Sequence, residues 1–407
     1  NTAGDSLQSG GNYNVLVGHA AGTAITTGDN NVALGYRALY TEDTGNRSVA
    51  IGDFALTVQN NADSNYNTAV GYAAGTAITT GVQNTLIGGT SGDALTDADF
   101  NVAIGYNALG GDTLGNRSVA IGYETLKAQN FTSATNSNNT AVGFHAGNDV
   151  TTGTNNTLIG ANAADKTTTG TNNVAVGSQS LSANTTGAQN TASGVRALGG
   201  NTTGVDNSAV GYEAMRVNTT GSYNAAFGRE ALEVNTTASN NSAIGYRALK
   251  ANTSGTQNTA VGSGALDANT TASNCSAFGY NALGSNTTGA SNVGIGQFSL
   301  DANTTGGSNT ALGHNALTGN TTASNNTAVG KGALEANSVG NHSTALGYNA
   351  GSLTTGSRNT WVGALCGDAN TGGVNNVGVG YAALTNSTGS TNTAVGGSAM
   401  AANTTGG

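Results

Sequence analysis

One short idiom, Asn-Thr-Ala-Val-Gly with small variations, recurs from one end of the chain to the other. Counted by its glycine, it begins at Gly18, Gly35 and Gly52 and ends at Gly363, Gly380 and Gly396, giving 23 copies. From Gly143 to Gly347 every step is 17 residues. A strict short period makes a chain a stack of like units, each touching only its neighbours. The period therefore argues against a set of globular domains. It favours a shaft, a spacer or a repetitive surface over an enzyme.

Composition agrees with an ordered stack. Charged residues are 8% of the chain and proline is absent, whereas a solvated disordered linker is rich in both. The net charge of −9, with 12 Lys and Arg spread thinly, disfavours nucleic acid as a partner. No stretch approaches the ~18 apolar residues of a membrane span. The chain opens and closes inside the repeat idiom, the close being Asn403-Thr404-Thr405-Gly406-Gly407. We therefore expect a segment of something longer, with an anchor and a tip elsewhere. Cys275 and Cys366 lie about five coils apart, over 20 Å at ~4.8 Å per coil, too far for a disulfide.

The consensus coil reads Asn-Thr-Ala-Val-Gly-Tyr-x-Ala-Leu-x-x-Asn-Thr-Thr-Gly-x-x. The residue before the marker glycine is apolar in 22 copies, often β-branched, and so predicts a strand. The residue before that is Ala in 17 copies, Leu in three, Gly in two and Trp once. With small or apolar residues on both faces, this strand is expected to be buried on both sides. A short Ala-Leu step follows, whose leucine is expected to meet the Val/Ile column across a thin interior. Asn-Thr-Thr-Gly is turn chemistry. Together these predict an all-β parallel β-solenoid of about 23 coils, a rod of roughly 110 Å at ~4.8 Å per coil. One coil buries little by itself, so oligomerisation is expected. The Ala face is the natural place for close approach of other chains around an axis, and three chains are preferred. Trp361, in the Ala column, is expected to force a change of radius or shape where the spacing drops to 16 residues.

Two segments, Arg47-Ser48-Val49-Ala50-Ile51-Gly52 and Asn116-Arg117-Ser118-Val119-Ala120-Ile121-Gly122, resemble the head repeats of YadA-like trimeric autotransporter adhesins. The Asn-Thr-Ala-Leu-Gly-Tyr-x-Ala-Leu arrays are similar to the shafts of phage tail-fibre proteins. The resemblance covers essentially the whole chain. It implies a homotrimer, intertwined or side by side, of left-handed parallel β-rolls. It further implies an extracellular location, on a cell surface or virion, and a role in attachment through a tip that binds a host glycan or receptor. The repeat here exceeds the adhesin head repeat by an Asn-Thr-Thr-Gly turn.

The candidate site residues form columns. Asn184, Asn201, Asn218, Asn235, Asn252, Asn269, Asn286, Asn303 and Asn320 stand one per coil, each an Asn-x-Thr or Asn-x-Ser acceptor, and Asn337 follows without the acceptor pattern. They are read either as a stacked structural ladder or as glycosylation sites on a surface turn. Repeated Thr raises ice binding. Tyr follows the marker glycine at Tyr36, Tyr72, Tyr106 and six further positions, which suggests packing between chains or sugar stacking. Asp93, Asp97 and Asp99 cluster and suggest a Ca²⁺ site. The four histidines are scattered, and no constellation for catalysis is visible. No cofactor is expected.

Longer steps from Gly52 to Gly71 and from Gly122 to Gly143 mark residues 1–142 as a four-coil super-repeat with loops, where specificity could reside. Residues 143–407 are monotonous, as suits a spacer. The expected function is the shaft of an extracellular fibre, with a self-assembling filament as the alternative.

Overall fold

A computed structural model describes residues 2–402. The closing Asn403-Thr404-Thr405-Gly406-Gly407 of the sequence lies outside them. The fold is an all-β parallel solenoid with no helix among the described residues. It packs as two compact units, Asn1–Asp206 and Asn207–Gly407.

Within each unit every coil contributes one three-residue strand. The first unit carries eleven, from Val15–Val17 to Thr191–Ser193, and the second twelve, from Ser208–Val210 to Thr393–Val395. Neighbouring strands are parallel and in register, as where Thr259, Ala260 and Val261 face Ser276, Ala277 and Phe278. The register follows the marker glycine even where the coil length changes. Val49 pairs with Thr68 across a 19-residue step, and Thr140 with Val119 across one of 21. The β-branched residues favour the extended backbone, and the marker glycine ends it at a φ of 126–143° that L side chains rarely adopt.

After the glycine, each coil turns on left-handed residues that are mostly not glycine. In one coil these are Arg37 (φ 53°) and Leu39 (φ 51°), with Asn30 (φ 60°) preceding the strand. Such conformations persist where the surroundings over-determine them. Here hydrogen bonds between coils do so, with the Leu39 N–H donating to Ala55 O at 3.0 Å and the Arg37 N–H to His19 O at 3.1 Å.

The strand is not buried on both sides, and its faces are the reverse of the expectation. The middle residue, Ala33, Ala50, Ala69 and onward, is fully enclosed by its own coil. The Val/Ile/Leu column points outward, with Leu34 44% exposed and Ile244 47%. The interior leucine therefore meets the Ala column rather than the Val/Ile column. A Cβ placed on Gly294, which stands in the Ala column, would lie 3.3 Å from Leu283 Cγ. The physical reason is volume: Leu and two Asn columns already fill the thin interior and leave room for a methyl group.

The exceptions follow the same volume rule. Where the middle residue is Leu86, the neighbouring Ala-Leu steps become Ala74-Gly75 and Ser91-Gly92, and a Cβ on Gly75 would lie 2.7 Å from Leu86 Cδ1. Leu158 is matched by Gly147 in the same way. Trp361 is fully buried, with Gly351, Gly367 and Gly378 packed around its indole. Thr360 and Val362 keep their register with the strands on both sides. The 16-residue step is absorbed in the turn, where Thr354-Thr355-Gly356 is one residue shorter than Asn337-Ser338-Val339-Gly340.

Candidate functional site

The Asn column that sequence places on a surface turn points into the coil. Asn184, Asn201, Asn218, Asn235, Asn252, Asn269, Asn286, Asn303 and Asn320 are all 0% exposed. These amides donate in two directions. One bond goes to the carbonyl three residues on, as from Asn184 Nδ2 to Gly187 O at 3.0 Å. Where the residue one coil back is also Asn, the other goes to its amide oxygen, whereas Asn184, at the start of the column, donates to the Thr167 hydroxyl at 3.3 Å. In the first unit Asn201 donates to Asn184 at 3.0 Å. In the second the chain of donors runs unbroken from Asn235 to Asn218 (2.8 Å) through to Asn320 to Asn303 (2.6 Å). Enclosed and bonded at both ends, these amides are not presented for attachment of a sugar in the folded coil.

The series stops at Asn337. Its Oδ1 accepts the N–H of Gly340 at 2.8 Å, and Asn320 Oδ1 is left without a donor. The shortened turn of the coil above accounts for this, because it no longer offers Gly340 the carbonyl that partners this N–H elsewhere.

A second buried Asn column was missed by the sequence reading. It is the first residue of the idiom itself: Asn173, Asn190, Asn224, Asn241 and their counterparts. Its Oδ1 accepts the backbone N–H of the equivalent residue one coil on, as from Asn241 to Asn224 at 3.0 Å. Its Nδ2 donates to the same turn carbonyl that the first column uses. Gly255 O thus receives Asn252 and Asn241, both at 2.9 Å. Two amides from opposite ends of the coil close it on one oxygen. The available signal was the near-invariance of that Asn within the idiom.

Cys275 occupies this second column. Its thiol reaches Gly289 O at 3.3 Å, and Asn292 leans down to the same carbonyl at 3.0 Å. Cys275→Asn restores an amide donor and an acceptor for the Asn292 N–H. It is expected to raise stability by roughly 1 kcal/mol, the net worth of a hydrogen bond, readable by denaturant titration.

In the first unit the ladder position alternates chemistry, and this is what the super-repeat builds. Ile25, Glu42 and Gln59 correspond to Leu95, Asp112 and Gln129. Glu42, buried, accepts from the Gly45 N–H (2.8 Å), Gln59 Nε2 (2.8 Å) and Asn65 Nδ2 (3.0 Å). Burial raises its pKa against those hydrogen bonds. Asp112 likewise accepts from Gln129 Nε2 at 2.6 Å. The inserted residues fold back on the preceding coil rather than bulging freely, with Gly115–Asn116 pairing with Thr135–Asn136.

The remaining candidates do not converge. The first Thr of each turn donates its hydroxyl to the coil above, as from Thr270 to Thr287 O at 3.1 Å, so this column is committed to the stack. Tyr106, Tyr123 and Phe144 stack on one another at 5.5 Å, which covers ring faces a sugar would need. Asp99 accepts the Val82 N–H at 2.8 Å and Asp97 the Thr80 hydroxyl. Among the described residues no group of three His, Cys, Asp or Glu could hold a metal ion. Both cysteines are free and buried, and burial pushes the Cys366 thiol up to about 11. No protein-family model matches the chain, and no curated protein matches it.

Proposed function

We propose that this chain is a structural solenoid, serving as the shaft of an extracellular fibre that holds an attachment element away from a surface. The observation that carries the reading is the use of the interior. The buried Asn columns join one coil to the next over much of the stack, so the architecture is specialised for regular propagation. Its polar side chains satisfy the backbone rather than converge on a substrate. The likeness of the repeat to adhesin heads and tail-fibre shafts points the same way. The enclosed thiols, with their raised pKa values, are poor targets for oxidation and suit an oxidising surface environment.

Electron microscopy of the native particle tests the proposal. Discrete rods projecting from a cell or virion are the expected result. Continuous helical polymers made by the purified chain would replace the shaft with a self-assembling filament. Because the Ala column is closed inside the coil, it offers no axis for three chains, and any contact between copies must use another face.

A further inference from the structure

We propose that the outward strand face of the second unit is the contact through which two copies of this chain pack together. Two columns make this face. The larger one, immediately before the marker glycine, is apolar in all twelve strands, and Phe227, Ile244, Phe278 and Leu346 are 43%, 47%, 40% and 49% exposed. The other outward column is small and uncharged, as in Ser242, Thr259 and Ser276. Neither column carries a charge at any rung. Apart from Arg358, which precedes its strand by two residues, the charged side chains of this unit lie beyond the glycine, where they pair across coils, Lys250 with Glu230 at 2.7 Å and Arg216 with Glu233 at 2.9 Å.

An unbroken apolar stripe of this length exceeds what monomeric proteins ordinarily expose. Twelve rungs at ~4.8 Å, on a face ~10 Å wide set by the three-residue strands, present roughly 600 Å² per partner, the lower end of the ~1,200–2,000 Å² total of a specific interface. The pitch identifies the occupant. A ladder repeating at every rung is matched along its whole length by a surface of the same pitch, and a second copy of the same stack supplies it. Large and small columns side by side are self-complementary, since the large column of one copy fits over the small column of the other. Uneven rungs such as Phe227, Val261 and Phe278 disfavour a flat lattice such as ice. Each coil has one such face, which closes as a two-fold pair rather than a ring of three.

The proposal draws its biological sense from the fibre reading but is measured separately from it. Sedimentation equilibrium of the intact chain is expected to give twice the 39.7 kDa monomer mass. Ile244→Glu with Phe278→Glu is expected to raise the dissociation constant by at least ~100-fold, about 2.8 kcal/mol at 1.4 per decade. Thr220→Glu, on an exposed turn, is expected to leave it unchanged. Should the paired glutamates disturb folding, Ile244→Thr with Phe278→Thr keeps the face uncharged and is expected to weaken pairing about tenfold. A monomer at tens of micromolar, a three-chain mass, or pairing undiminished by the threonine variant overturns the proposal. A monomer whose effect on ice growth depends on Ile244 overturns it too, in favour of ice. A monomer forming rods on the native particle would sink the pair and leave the shaft standing.

Discussion

Gly262→Ala is expected to disrupt the two coils it joins, at a cost of more than ~4 kcal/mol, the range reached by backbone strain and steric overlap combined. Gly262 sits at φ 137°, which an L residue adopts only under strain. A Cβ there would stand 2.7 Å from the carbonyl carbon of Gly279 and closer still to its oxygen. Neither atom belongs to a flexible side chain, so the coils must separate. Separation breaks the ladder on both sides, where the Gly262 N–H donates to Ile244 O and the Gly279 N–H to Val261 O, each at 2.8 Å. Stability in a stacked repeat is a sum of unit and neighbour terms, so the damage should be local first. Hydrogen exchange should show lost protection at 259–261 and 276–278 before distant strands. Gly372→Ala is the control, because a Cβ there meets nothing within 4 Å, and its effect should stay within about ±0.5 kcal/mol. A Gly262→Ala protein that exchanges and melts like the parent would show that the marker glycine is not required for stacking.

The period, the strand position and the parallel register were legible because they depend on repetition alone. A β-branched pair ending in glycine can hardly be anything but a short strand, and equal spacing fixes who pairs with whom. What the residues hid was which side of the strand is inside. In a thick sheet the larger side chain faces the core, and that habit put Val17, Leu34 and Ile51 inward and the alanines outward. The interior here is too narrow for it. The clue was compensation along the chain, since Leu86, Leu158 and Trp361 each coincide with glycine in the neighbouring Ala-Leu steps. The Asn ladder was found as a column but placed on the surface, because Asn-Thr-Thr-Gly has the composition of a solvated turn. Its depth comes from the carbonyl it shares with the idiom's own Asn, a contact between residues far apart within one coil. Left-handed leucines such as Leu39 have no sequence signature at all, since coil-to-coil hydrogen bonds impose them.

Asn252→Ala is expected to cost about 2–4 kcal/mol, the sum of a small cavity and one orphaned buried acceptor. Asn235 Oδ1 would lose the donor that reaches it at 3.0 Å, whereas Gly255 O keeps Asn241 and Asn269 Nδ2 keeps Ala272 O. Asn252→Asp is the sharper experiment, because it preserves shape and changes only the donor. As a carboxylate, residue 252 would face two acceptors, Asn235 Oδ1 and Gly255 O, with no hydrogen to give either. Burial and those acceptors must raise its folded pKa above the unfolded value of ~3.9, so its best stability lies below that pH. Stability is then lost as pH rises through the window up to the folded pKa, because the unfolded state gives up its proton first. The chain itself shows the condition for an acid at this position. Glu42 and Asp112 stand one coil above Ile25 and Leu95, which ask for no donor, and beneath Gln59 and Gln129, which supply one. At 252 the residue one coil back is Asn235, which needs a hydrogen. Denaturant titration of the Asp variant against its parent at pH 3.5 and pH 7 decides the matter. A deficit that grows toward neutral pH supports a ladder of directed donors. One that is equal at both pH values would mean that the column merely fills space.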